Sequence, residues 1–286
     1  MDDNPWLERR VIAYAHQGGA KEAPSSTLYA IRRALEHGAT GIELDVHATK
    51  DGHIVVCHDP TLDRTTGATG EIADRSLEEL RRLDNAYWFC PGEDAVKGRP
   101  ERDYVLRGLA PAEGDLGVAT LSEVLESFPG VVLNLDIKRT APEVVPYEAA
   151  LARELAAHGR RCDVIVASFS DAATAAFAEH APEVGIAAGT EATWEFYRRL
   201  QAGEPPQDDI GRYVALQPPA RFGSLRVVDR RFVDAAHACG LAVHVWTVDD
   251  PAEMEDLVAS GVDGIISDKP SVLAAVLSRL GANWET

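Results

Sequence analysis

Apolar residues along the chain gather in short β-branched runs, and between them Ala, Leu, Glu and Arg recur at helical spacing. The runs predict strands at Val11–Ala15, Gly41–Val46, Val131–Ile137, Val164–Ser168, Gly185–Ala188, Tyr213–Gln217, Ala242–Thr247 and Gly264–Ser267. Helical patterns lie near residues 26–37, 76–84, 121–127, 143–158, 171–180, 191–202, 229–239, 251–260 and 271–280. Strands that alternate with helices pair in parallel through right-handed crossovers. The expected fold class is α/β, a TIM (β/α)8 barrel with residues 1–286 as a single domain, a length such barrels commonly have. An open doubly wound sheet is the competing arrangement.

An internal echo supports closure. His37-Gly38-Ala39-Thr40-Gly41-Ile42-Glu43-Leu44-Asp45 is similar to Ser260-Gly261-Val262-Asp263-Gly264-Ile265-Ile266-Ser267-Asp268. Each reads as a helix end, a glycine suited to the left-handed position after it, and a strand ending in an acid. The stretch 85–120 breaks the rhythm: it is rich in Gly, Pro and charge and carries Tyr87, Trp88 and Phe89. It predicts an insertion between the second and third strand regions that lies over one barrel mouth, since loops this long are commonly functional. The polar loop Gly203–Gly211 reads as plain surface.

Strand side chains two apart share a face. In 41–46, Glu43 and Asp45 share one face and Ile42, Leu44 and Val46 the other. If the apolar set packs outward on helices, the two carboxylates point inward at the strand's C-terminal end, where such barrels do their chemistry. Adjacent buried carboxylates are costly without a positive partner, and a hard divalent cation meets that need. In 131–138, Asn134, Asp136 and Lys138 share a face opposite Leu133, Leu135 and Ile137. Asp136 adds a third carboxylate, and Lys138 would offset the residual negative charge and hold a phosphate oxygen. A structural ion pair is the competing reading of any one such pair.

Histidine carries protons near neutral pH. His16 follows the first strand, and His58 follows the extended run Ile54–Cys57. The turn Lys50-Asp51-Gly52-His53 joins that run to the Glu43 strand, and its Asp-Gly pair is a hairpin signal that returns His58 towards the carboxylates. His37, His47, His53, His158, His180 and His237 lack such a context, while His244 shares a strand face with Trp246.

Charge narrows the partners. A net charge of −18 repels nucleic acid and anionic lipid headgroups, so neither nucleic-acid binding nor stable membrane association is expected. An anionic substrate would need positive charge inside the site, which a bound metal provides. Cys57, Cys90, Cys162 and Cys239 show no C-x-x-C spacing and read as unpaired thiols of a reducing compartment. The N-terminal MDDNPWLERR has neither the basic flank nor the apolar run of a signal peptide, and no stretch approaches a membrane span, so a cytoplasmic location is expected.

His16-Gln17-Gly18-Gly19, Glu22-Ala23-Pro24, Gly41-Ile42-Glu43-Leu44-Asp45-Val46 and His58-Asp59-Pro60 together resemble the signature of the glycerophosphodiester phosphodiesterase family, cytoplasmic bacterial type. Leu133-Asn134-Leu135-Asp136-Ile137-Lys138, Trp246-Thr247-Val248 and the run from Gly261 to Pro270 extend the likeness in order to the last strand. The resemblance implies a TIM barrel with a small insertion where 85–120 lies. It implies His16 and His58 as the acid/base pair, and Glu43 and Asp45 as metal ligands. Asp136 stands where the family commonly has Glu, and Lys138 would contact phosphate. Gln17, Ser168, Gln217 and Trp246 complete the expected substrate contacts. Two further departures are Gln17, where an Arg usually follows the first histidine, and Ser25-Ser26, where Glu-Asn is usual. Gln17 cannot hold a phosphate by charge.

The expected activity is metal-dependent hydrolysis of a small glycerophosphodiester to glycerol 3-phosphate and an alcohol such as choline or ethanolamine. The expected cofactor is one divalent ion, Mg2+ or Ca2+, with Mn2+ a further option. One rival is a lysophospholipase D-like activity using an apolar groove built from Trp88, Phe89, Phe169, Phe222 and Trp246, against ordinary packing of these rings. The other is a barrel that binds phosphodiesters without turnover. Oligomeric state is not encoded legibly.

Overall fold

A computed structural model describes residues 4–7, 11–110 and 114–283. Residues 1–3 and 8–10 of the N-terminal stretch, 111–113 within the segment 85–120, and 284–286 lie outside the described residues.

Among the described residues, eight parallel strands close into a barrel: β1 Ile12–His16, β2 Gly41–Ala48, β3 Val132–Ile137, β4 Val164–Ala167, β5 Gly185–Ala188, β6 Ala215–Leu216, β7 Ala242–Val245 and β8 Gly264–Ser267. Each pairs with its successor, and β8 returns to pair with β1, Ile12 opposite Gly264 and Ala15 opposite Ser267. The TIM barrel expected from alternation is therefore observed, and the open sheet is not.

The helices α1 Leu28–Glu36, α2 Leu121–Ser127, α3 Glu148–Ala157, α4 Asp171–His180, α5 Thr190–Ala202, α6 Arg230–Ala238, α7 Pro251–Ser260 and α8 Pro270–Leu280 follow β1, the β2 excursion, and β3 to β8 in turn. Their starts obey capping chemistry. Thr27, Asp229 and Asp250 accept backbone N–H groups of α1, α6 and α7, and Thr120 with Glu123 forms a capping box at α2.

Three boundaries depart from the pattern for local reasons. Pro146 restricts Val145 to extended conformations, so α3 begins at Glu148 rather than 143. Pro218 and Pro219 cannot donate to a ladder, and β6 is confined to Ala215–Leu216. The pattern at 76–84 yields a single turn, Leu77–Leu80.

The two faces of the strands divide the interior. Ile42, Leu44, Val46, Leu133, Leu135 and Ile137 pack outward in one cluster with Ile31, Val124, Leu151 and Phe177 of the helices. The barrel's inside holds Ile12, Tyr14, Val132, Ile165, Ala187 and Ile266, with Trp6 among them. Asn4 donates to the carbonyls of Val214 and Gly240 (2.8 Å each), which places this N-terminal plug at the strands' N-terminal ends.

The internal echo has a physical cause. Tyr14 is fully buried, and a Cβ on Gly41 would come within 2.7 Å of its ring. A Cβ on Gly264 would meet the His244 ring at 2.7 Å and the Tyr14 ring at 3.0 Å. β2 and β8 flank β1, so both must open on a residue without a side chain. Gly38 and Gly261, with φ of 94° and 92°, end the preceding helices in the left-handed region.

The β2–β3 connection is long. From β2 the chain turns through Gly52 (φ 84°) and pairs antiparallel as Ile54–Val56, Val46 opposite Val56. It then runs through irregular structure, including a short antiparallel pair, Phe89–Cys90 with Asp94–Ala95, before α2.

Candidate active site

A cleft of about 680 Å³ opens at the strands' C-terminal ends, lined on one side by His16, Glu43, Asp45, His58, Asp136 and Lys138. Register explains the convergence. His16 lies opposite Glu43 across β1–β2, and Asp45 lies opposite Asp136 across β2–β3. The antiparallel return of Ile54–Val56 carries His58 back to the same rim, as the Asp-Gly turn predicts.

Each histidine has its Nδ1 bound to a carboxylate. His16 donates from Nδ1 to Asp268 Oδ1 (2.5 Å), and His58 from Nδ1 to Asp59 Oδ1 (2.6 Å). The rings stand edge to face with centroids 6.3 Å apart. Burial disfavours the His16 imidazolium, but the Asp268 hydrogen bond and the charges of Glu43, Asp268 and Asp45 outweigh it and raise His16 to about 9. The Gln17 amide nitrogen, 3.2 Å from His16 Nε2, acts in the opposite sense, because an N–H donor there favours the unprotonated ring nitrogen. Burial also opposes the Asp268 carboxylate, yet contact with His16 and Lys21 holds it below the usual carboxylate range.

The acidic floor is short of positive charge. Glu43 is 6% exposed; burial, then Asp45 beside it, pushes its carboxyl up, and its Oε2 accepts the Gln17 backbone N–H (3.1 Å). Burial likewise raises Asp136, with Lys138 pulling the other way. Lys138 Nζ sits between Asp45 Oδ1 (2.8 Å) and Asp136 Oδ2 (2.9 Å). Burial opposes the Lys138 ammonium, but these two carboxylates dominate and raise it above its ordinary value. Asp45 is 1% exposed, and its Oδ2 has no hydrogen-bond donor.

Among the described residues no three Asp, Glu, His or Cys side chains are already gathered as a ready ligand set, and the Lys138 ammonium stands between two of the acids. The donor chemistry nevertheless fits a hard cation: all-oxygen groups on adjacent strands, one buried carboxylate oxygen without a donor, and a Glu whose charge is disfavoured as it stands.

The other expected contacts divide. Gln217 and Trp246 line the cleft; the Gln217 amide pairs with Asn134 (3.2 and 3.3 Å), and the Trp246 indole donates to the Gln217 carbonyl (2.6 Å). Ser168 lines it too, but its hydroxyl donates to Ile137 O (2.7 Å) and accepts from Ser170 N–H, so it serves the backbone. Gln17, expected at the substrate, is 4% exposed, lies outside the cleft lining, and faces His16 and an arginine. His244 is buried inside the barrel, where burial lowers it to about 3. Of the candidate groove rings, Phe169, Phe222 and Trp246 line the cleft, joined by Trp194. Trp88 instead packs on Tyr104 and donates to Thr66 O, and Phe89 is buried.

Pattern reading missed Asp268, Asp59 and Arg64. Asp59 directly follows His58, and Asp268 is the acid that ends the internal echo, so both had a signal; Arg64 had none.

Residues 16–272 match the sequence model described as the glycerophosphoryl diester phosphodiesterase family. A glycerophosphodiester phosphodiesterase of Caldanaerobacter subterraneus subsp. tengcongensis is 31% identical over 278 residues, covering 95% of this chain and 100% of that protein. A crystal structure of a glycerophosphodiester phosphodiesterase from Agrobacterium tumefaciens superposes with a TM-score of 0.69 at 25% identity, covering 93% of this chain and 99% of the other. A phosphodiesterase of Oleispira antarctica in complex with the product sn-glycerol-3-phosphate shares the fold, with a TM-score of 0.68 at 23% identity and coverage of 94% and 97%.

Proposed function

The chain belongs to the glycerophosphoryl diester phosphodiesterase family, and from that premise we propose how its own residues hydrolyse a glycerophosphodiester to glycerol 3-phosphate and an alcohol. The observation that carries the reading is the pair of carboxylate-bound histidines standing over an acidic floor at the barrel's rim.

Glu43, Asp45 and Asp136 would hold one divalent ion, Mg2+ or Ca2+ with Mn2+ a further option, with Lys138 released from between the two aspartates. Bound there, the ion would neutralise charge on the phosphodiester and favour ionisation of the oxygen nucleophile. Lys138, which lines the cleft beside these acids, would meet a phosphate oxygen. One of His16 and His58 takes the proton of the attacking oxygen as its bond to phosphorus forms. The other gives its proton to the ester oxygen as that bond breaks, so the alcohol leaves neutral. Asp268 and Asp59 hold Nδ1 of each ring, which leaves Nε2 as the atom that would exchange the proton.

The free state of Cys57, Cys90, Cys162 and Cys239 agrees with a reducing, cytoplasmic setting, and no described helix is long and apolar enough to cross a membrane.

The test is release of glycerol 3-phosphate from glycerophosphocholine by the purified chain and by His16→Ala and His58→Ala. The expected losses are about 10²- to 10⁴-fold for each variant. Near-wild-type turnover by both variants defeats the assignment, and ligand-induced stabilisation without any turnover points to a binding barrel.

A second reading concerns the alcohol. Phe169, Trp194 and Phe222 are 58%, 57% and 75% exposed and form an apolar wall of the cleft. Such exposed rings beside a site favour a substrate with an apolar chain. Faster turnover of lysophosphatidylcholine than of glycerophosphocholine would establish it.

A further inference from the structure

The segment after His58 folds back on itself. Leu62 is buried in a small cluster with Val55, Cys57 and Ile72, and Thr66 closes a turn onto the Leu62 carbonyl through both its N–H and its hydroxyl. Thr65 donates to Asn85 Oδ1 (2.6 Å), and Asn85 in turn donates to the Ser25 carbonyl (3.3 Å). This anchoring aims the intervening side chain, Arg64, at the rim.

Its guanidinium spans four groups. Nε donates to Asp59 Oδ1 (3.2 Å), one terminal nitrogen to Asp94 Oδ2 (2.8 Å) and Ser25 Oγ (3.5 Å), and the other to Gln17 Oε1 (3.1 Å). Asp59 Oδ1 is the same oxygen that receives His58 Nδ1. A guanidinium can only donate, so Gln17 must turn its oxygen to Arg64 and its NH2 to His16 Nε2, a bond made while that nitrogen is unprotonated.

The backbone concentrates its strain at the same place. Among the described residues the non-glycine positions with positive φ are Gln17 (53°), Ser26 (59°) and Asp94 (72°). Two of them accept from Arg64, and the third, Ser26, donates its N–H to the Gln17 carbonyl (2.8 Å) beside the Arg64 contact at Ser25. Such conformations persist where surrounding contacts over-determine them, and they gather at working sites.

We propose that Arg64 is a positioning residue that sets both histidines at once, His58 through Asp59 and His16 through Gln17. Its contact with Asp94 also ties the hairpin Phe89–Ala95 of the 85–120 segment to that task. Gln17, neutral and inside the rim, then works as a relay of hydrogen-bond polarity rather than as a ligand for phosphate. The inference rests on His16 and His58 acting in turnover.

Arg64→Lys tests it, because one ammonium keeps the charge and the stem but cannot span separate acceptors. With glycerophosphocholine as substrate, kcat should fall about tenfold to a hundredfold with KM within about threefold of wild type, since misplaced catalytic groups cost rate rather than binding. In the Gln17→Ala/Asp59→Ala chain both routes are already cut, so adding Arg64→Lys should change kcat by less than about twofold. A folded Arg64→Lys with kcat within threefold of wild type overturns the proposal, as does an undiminished effect in the doubly cut background. Failure of Arg64→Lys to fold makes the residue a structural brace and also overturns it. An inactive wild type defeats the underlying function; an active, His16-dependent wild type indifferent to Arg64→Lys defeats this inference alone.

Discussion

Asp268→Asn removes an anion from the His16 couple while preserving its size. The bond it weakens is short, 2.5 Å, and the two side chains are 20% and 15% exposed, so water substitutes poorly for it. A hydrogen bond to a charged group contributes about 1.5–3 kcal/mol, and about 1.4 kcal/mol corresponds to tenfold in rate. The expected loss in kcat/KM is therefore roughly 10- to 150-fold, carried mainly by kcat because Asp268 orients a ring. Asp59→Asn gives an internal scale. His58 and Asp59 are 38% and 29% exposed, so solvent replaces more of that bond and a loss of about tenfold or less is expected. The assay is the initial rate of glycerol 3-phosphate release at fixed pH and saturating divalent ion, with thermal unfolding followed on the same samples. If folded Asp268→Asn keeps kcat/KM within threefold of wild type, or if Asp59→Asn proves the more damaging, the reasoning is refuted.

Three further outcomes are expected. EDTA should abolish turnover and added Mg2+, Ca2+ or Mn2+ restore it, and Asp45→Asn should raise the ion concentration for half-restoration by about tenfold or more; insensitivity to chelation counts against the acidic floor as a metal cradle. Gly264→Ala places a methyl 2.7 Å from the His244 ring and should cost about 1–3 kcal/mol in urea unfolding, and an unchanged midpoint would show that the rings beneath it give way. The Asp263 hydrogen bond raises His237 above its ordinary value, so its stabilisation is full below the unfolded-state pKa of about 6.5 and fades as pH rises through the higher folded value. His237→Gln should accordingly lower the melting temperature more at pH 6 than at pH 9, and an equal deficit at both contradicts the sign.

Period alone made the barrel legible. Alternation in Gly41–Val46 and Val132–Ile137 sorts outward apolar residues from inward acids, and the strand pairing then brings Asp45 beside Asp136. The β5 and β8 bounds and the α4 and α7 bounds are those the pattern predicts, because glycine, aspartate and proline mark their ends. The floor carboxylates were readable from alternation, which puts them on the inward face, and the histidines because His16 ends β1 and His58 follows a hairpin turn. Lys138 was placed on the right face, but its role between two aspartates depends on distances no spacing encodes. Arg64 was invisible, since it lies in irregular chain and its direction comes from contacts with residues 17, 25, 59 and 94. Gln17 was expected at the substrate, without the charge to hold phosphate; sequence shows its type but neither its φ of 53° nor its contact with Arg64.

His16 and Asp268 are separated by 252 positions, yet their contact bridges the first and last staves of the cylinder. No fragment that lacks either end can assemble this His16–Asp268 pair, however well its middle folds. If His16 acts in hydrolysis as proposed, turnover becomes a chemical gauge of circular completeness. A pair of complementary pieces cut in the β2–β3 excursion should be silent apart and regain hydrolysis only on docking along both seams.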